Sequence, residues 1–190
     1  MKAPLNEPAL KRAQTAVITR RHTKKSGAQQ ASPARGSLSI AQALLYGSVA
    51  GFVATSVKTI CELIAPPRAP GVESPLANLL NSASVAATGG PLTESAKTVA
   101  EPTVHFAFGI GAAAVYAVVS QKLPVLRAGR GALFGFLFWL GFHEIGLPLF
   151  GFSPTPAQMS LWEQGNELVT HIVYGMVVEQ VLRTVARKLA

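Results

Sequence analysis

Glu163, Glu167 and His171 recur at intervals of four residues, a spacing that keeps all three on one slowly turning face of a helix. Comparable groups stand elsewhere in the chain: Lys58 and Glu62 four apart, His105 alone, and His143 beside Glu144. Each lies in or at the edge of an apolar run. Carboxylate and imidazole together support two chemistries. They can ligate a divalent transition metal, as in bundles that collect ligands from facing helices, with His105, His143, His171 and Glu167 as candidates. They can also take up and release protons, because imidazole titrates near neutral pH and a buried carboxylate protonates more readily than one in water. Spacing alone leaves both open, together with a plainer role as hydrated interfacial groups or helix-bonding contacts. His143 and Glu144 are not followed by a second His in H-E-x-x-H spacing. There is no Gly-rich loop ahead of Lys-Ser/Thr, no nucleophile elbow, and no Asp at all. The sequence assigns no catalytic residues and implies no cofactor.

These groups need elements to bring them together. The chain has 190 residues, 49% of them hydrophobic and only 14% charged. A soluble domain carries nearer a quarter charged residues. Four apolar runs follow a polar start, at about 38–64, 102–120, 131–152 and 161–182. The expected fold is therefore all-α: a polytopic bundle of four transmembrane helices, each run being close to the ~20 residues that span the hydrocarbon layer. Residues 1–36 hold eight of the 17 Lys and Arg, show no packing periodicity, and read as a disordered basic tail. The first run stops at Pro66 and Pro67, which cannot continue a helix. Residues 65–101 read as a long loop with an amphipathic stretch at 75–84 and a break at Gly89, Gly90 and Pro91. The fourth run is the least apolar, so its polar face requires cover from other helices. A three-span arrangement with that run lying on the membrane surface is the main competitor.

Charge sets the orientation. The net charge of +8 sits in the tail, in a short loop with Lys122, Arg127 and Arg130, and at Arg183, Arg187 and Lys188. Nucleic-acid binders place such residues on a folded face with stacking aromatics, so a nucleic-acid partner is not expected. Retention of Lys and Arg on the cytoplasmic side explains the pattern with four spans and both termini inside. Glu62, His143 and Glu144 then end outward-running helices, while His105, Glu163, Glu167 and His171 begin inward-running ones. All fall in the outer half, with Lys58 and Arg68 as charge partners. Glu179 and Arg183 read as a snorkelling pair at the inner end. Gly47 with Gly51, and Gly131 with Gly135, are one turn apart and read as close-packing faces, within the bundle or toward a second copy or another membrane protein. Trp139 and Trp162 read as lipid or packing residues. The single Cys61 excludes an intrachain disulfide.

Three blocks carry a resemblance: VKTICELIAPPRAP (57–70), HEIGLPLFGFSP (143–154) and WEQGNELVTH (162–171). Lys58, Glu62 and the Pro-Pro-Arg-x-Pro turn, then His143 with Pro148, Gly151 and Pro154, then Glu163, Glu167 and His171 match a shared pattern. His105 falls where a His opens the second hydrophobic run. In these residues the chain resembles the YagU family of bacterial inner-membrane proteins, defined by a domain of unknown function, over roughly residues 38–185. Glu144 does not belong to the pattern, and the basic tail is longer than the family's usual start. The resemblance implies an inner-membrane location and a multi-span fold, with a suggested link to acid tolerance and no established ligand. The expectation is a membrane protein whose outer-half cluster of Glu62, His105, His143, Glu163, Glu167 and His171 senses, binds or relays a cation, a proton foremost. The alternatives are a structural or assembly subunit and a divalent-metal-binding protein; an enzyme acting on lipid or cell-wall intermediates comes third.

Overall fold

The computed structural model describes residues 38–188. The basic tail at 1–36 lies outside the described residues. Helix α1 (Ile40–Ile64) starts at a capping box, with Ser39 Oγ accepting from the Gln42 amide at 3.2 Å and Gln42 Oε1 accepting from the Ser39 amide at 3.0 Å. The apolar run that follows ends, as expected, at the prolines. Helix α2 (Pro75–Thr88) has Ser74 as its cap, Pro75 in its first turn, and Gly89 at φ +81° beyond its last. The expected amphipathic stretch is thus a complete helix. Helix α3 (Glu94–Val119) begins eight residues before the expected start at 102. The expected start marked where the apolar run begins, and the turns before it are more polar. The operative signal is Thr93, whose hydroxyl accepts from the Ala96 amide at 3.3 Å ahead of Glu94 in the first turn. Pro102 lies inside the helix. Lys97 pairs with Glu73 and Glu94 and so ties the added turns of α3 to the start of α2.

Tight 3₁₀ turns over Pro124–Gly131, interrupted at Ala128, Gly129 and Arg130, lead into α4 (Ala132–Phe138). That helix widens into a π-helical stretch, Trp139–Gly146, and closes with an α-turn, Leu147–Leu149. The last helix, α5 (Leu161–Lys188), is 28 residues long and extends six residues past the expected end of the fourth run.

Among the described residues, three helices are long and apolar enough to cross a membrane: Ile40–Ile64, Glu94–Val119 and the composite Pro124–Leu149. Their outer faces carry exposed Leu45, Phe52, Leu63, Val115 and Ile145, the reverse of a soluble bundle, where such side chains turn inward. The chain is a membrane protein with a lipid-facing apolar belt. At ~1.5 Å per residue α5 is also long enough, but its composition is too polar to qualify by itself. It packs against α1 and α4 and buries Glu167, Thr170, His171, Tyr174, Val178 and Glu179. Polar groups on that helix are therefore covered by protein, as the expected bundle required.

Small residues set the helix spacing. A Cβ added at Gly47 would stand 2.6 Å from Ala114 Cα, and one at Gly51 2.7 Å from Ile110 Cα, far inside the ~3.5–4.0 Å of carbon–carbon contact. Gly131 and Gly135 are closed in the same way by Gly175, His171 and Ile172 of α5. Both pairs are buried within the chain, so of the two expected uses of Gly47, Gly51, Gly131 and Gly135 it is packing within the bundle that they serve, at the α1–α3 and α4–α5 contacts. Replacing Gly47 with Leu is expected to lower stability by at least about 1–3 kcal/mol through overpacking. Gly111→Leu is the control, because nothing lies within 4 Å of a Cβ built there. Thermal unfolding in detergent, followed by circular dichroism, should separate the two; equal behaviour would refute the close contact.

Candidate functional site

The site is assembled at one end of the bundle, from the last turns of α1, the turn after it, the first half of α3, the π-helical stretch and the first half of α5. Its centre is Glu167, whose side chain is 5% exposed. One carboxylate oxygen, Oε1, accepts from Arg68 Nη2 at 2.8 Å, and the other accepts from Lys58 Nζ at 3.2 Å. Lys58 also pairs with Glu62 one turn along α1. Arg68 reaches Glu163 with its Nε at 2.7 Å. Two cations and three carboxylates thus form one continuous buried network, and each cation has two acidic partners. Charges held in so apolar a place persist only when paired in this way.

Two imidazoles, His143 of the π-helical stretch and His171 of α5, meet at Glu167. His143 Nε2 lies 3.3 Å from Arg68 Nη2 and 3.6 Å from Glu167 Oε1, and its Nδ1 lies 3.0 Å from Glu144 Oε1. His171 donates from Nδ1 to the Glu167 carbonyl at 2.7 Å, and its ring centroid is 6.1 Å from that of His143. Of the expected residues, Lys58, Glu62, Arg68, His143, Glu163, Glu167 and His171 come together. His105 lines the same cavity from α3, but among the described residues it joins no hydrogen bond and its buried Nε2 has no partner.

Sequence reasoning passed over several residues. Glu144, set aside because it does not belong to the shared pattern, is buried and bonded to His143. The wider π turn makes this possible, and such turns recur at functional sites. Trp162 Nε1 donates to the Pro66 carbonyl at 2.9 Å, and Asn166 Nδ2 to the Ala65 carbonyl at 2.8 Å. These two bonds fasten the proline turn to α5 and so place Arg68. They had a signal: positions 162 and 166 repeat the spacing of 163 and 167 one step back. Glu179 corrects the expected snorkelling pair. It is fully buried, accepts from Tyr116 at 2.7 Å and from Arg183 at 2.6 Å, and lies 3.9 Å from Arg127.

Among the described residues, no three His, Cys, Asp or Glu side chains form a group fit to hold a metal ion. The Glu167 oxygens that would be donors already face Lys58 and Arg68. A cavity of about 490 Å³ opens beside the network, lined by residues of α1, α2, α3, the π-helical stretch and α5.

Comparison with known proteins fits this architecture. A region of 85 residues is 29% identical to the inner membrane protein YagU of Escherichia coli (strain K12), covering 45% of this chain and 42% of that protein. The match therefore spans less than half the length of that relative. No solved structure matches the chain. The sequence profile of a family described as "protein of unknown function (DUF1440)" matches residues 52–180, which include every member of the Lys58–Glu167–Arg68 network. By that match, over more than half of its length, the chain belongs to this family.

Proposed function

We propose that this chain is an inner-membrane protein crossing the bilayer four times, with both ends in the cytoplasm, and that its outer-half Glu/His cluster binds protons. The fourth crossing is α5, whose polar side chains are covered by α1 and α4. The distribution of Lys and Arg supports this orientation, and an acid-tolerance role would follow from it.

One observation carries the proton reading: His143 Nε2 faces the Arg68 guanidinium at 3.3 Å. Arginine only donates, so Nε2 accepts, and the tautomer that satisfies both contacts places the ring proton on Nδ1, toward Glu144. A proton arriving at Nε2 turns that acceptor into a donor and sets two cations against each other. The new N–H finds Glu167 Oε1, now 3.6 Å away, and Arg68 is driven toward Glu163. Arg68 follows directly after Pro66 and Pro67, so the displacement reaches the Pro66 carbonyl held by Trp162. Proton binding is thereby coupled to the turn that closes this end of the bundle.

Trp162 reports the event. In a Trp139→Phe background, its fluorescence is expected to change as the pH falls from about 8 to about 5. His143→Gln, which keeps a neutral polar group in place, should flatten the curve while leaving the size-exclusion profile intact. Identical curves with and without His143 would end the proton reading.

A further inference from the structure

The cavity beside the network is larger than proton binding needs. At about 490 Å³ it falls within the ~300–1,000 Å³ typical of small-molecule sites. One side is aromatic, formed by Phe106 and Phe108 of α3, Phe138 at the end of α4, and Phe142 of the π-helical stretch. Leu76 and Leu79 of α2 also line the cavity. Thr55 lines the wall, 1% exposed, with a hydroxyl that has no hydrogen-bond partner.

Charge selects the ligand class. Both basic residues that line the cavity are already paired: Lys58 with Glu62 and Glu167, Arg68 with Glu163 and Glu167. Glu101, which also lines it, accepts only from the neutral Ser74 hydroxyl at 3.2 Å and has no basic partner among the described residues. While the imidazoles of His105, His143 and His171, which also line it, are uncharged, the cavity presents three carboxylates (Glu62, Glu101 and Glu167) against two cations, and an anionic guest would meet uncompensated repulsion. A cation would be drawn by Glu101 and by the negative faces of the phenylalanine rings. A small hydrated ion would leave the aromatic wall unused.

We propose that this cavity binds a lipophilic organic cation, one positive charge in an aromatic or aliphatic body, with the charge toward Glu101 and the body against the phenylalanines. The site is shared with the proton reading, and a proton on the cluster would compete with the guest, but binding at fixed pH does not require that the cluster titrate.

The test uses the full chain in dodecyl maltoside at pH 7.5 and two probes of one shape and opposite charge, tetraphenylphosphonium and tetraphenylborate. Calorimetry is expected to give saturable one-to-one binding of tetraphenylphosphonium, at least tenfold tighter than tetraphenylborate. Glu101→Gln should weaken the phosphonium at least tenfold with an unchanged circular dichroism spectrum. The probe comparison on the unmutated chain decides the matter even where that variant folds poorly. No saturable phosphonium binding, or borate bound as well or better, would overturn the inference. A flat Trp162 titration alongside phosphonium binding would instead remove only the proton reading.

Discussion

Glu167→Ala is expected to destabilise the protein by about 3–5 kcal/mol, the range for removing one partner from a buried charge pair. The carboxylate is 5% exposed and holds Lys58 at 3.2 Å and Arg68 at 2.8 Å, so its loss leaves both cations short of a partner in a place that water scarcely reaches. Glu62 and Glu163 remain, which sets the effect in the lower half of that range. Glu163→Ala provides the comparison. That side chain is 16% exposed, and Arg68 keeps Glu167 when it is lost. About 1 kcal/mol is expected there, as for a pair partly screened by solvent. Removing one of the stranded cations as well, in Glu167→Ala with Lys58→Met, should recover part of the loss. Unfolding in detergent micelles measures all three. Equal losses from Glu163 and Glu167 would mean that the network has no centre.

The site was legible because its residues obey helical spacing: 58 and 62, then 163, 167 and 171, each in a run whose ends the prolines mark. Four runs bringing acids and imidazoles to one level is a statement about length and direction, and both can be counted. What could not be counted is rotation. Nothing in Gly47 and Gly51 tells whether they meet α3 or a second molecule, since a small residue signals close approach without naming the partner. The π-helical stretch was equally hidden, because its apolar composition suits an ordinary helix, and with it went the role of Glu144. The start of α3 was misplaced for a different reason. The apolar run begins only near residue 102, but the Thr93 cap and the Lys97 pairs with Glu73 and Glu94 hold the earlier, more polar turns in place. Glu179 was misjudged because its companion Arg183 is half-exposed and looks like a membrane anchor, whereas Tyr116 is 63 residues away in sequence.

That last misjudgement leads to the second large effect. Glu179→Ala is expected to lose about 3–5 kcal/mol, again as the removal of a buried acid from its partners. The side chain has no exposure, and the Tyr116 hydroxyl, itself buried, would be left without an acceptor. Tyr116→Phe removes the same bond from the other side and leaves the charge paired with Arg183, so about 1.5–3 kcal/mol is expected, the worth of a hydrogen bond to a charged group. Arg183→Ala should cost less than about 1 kcal/mol, because its side chain is 45% exposed. Denaturation in micelles gives this order, and any inversion of Tyr116 and Arg183 would contradict it. The two buried acids divide the labour of α5. They lie 12 residues apart, roughly 18 Å along the axis at ~1.5 Å per residue. One ties the helix to α1, the proline turn and the π-helical stretch; the other ties it to α3 and to the turn carrying Arg127. Imidazoles touch only the first. Glu179→Gln, which softens the second centre where no imidazole is in contact, should therefore lower the midpoint of unfolding and leave the pH curve of Trp162 where it was. A shift of that curve would mean that the two ends of the helix answer to one another.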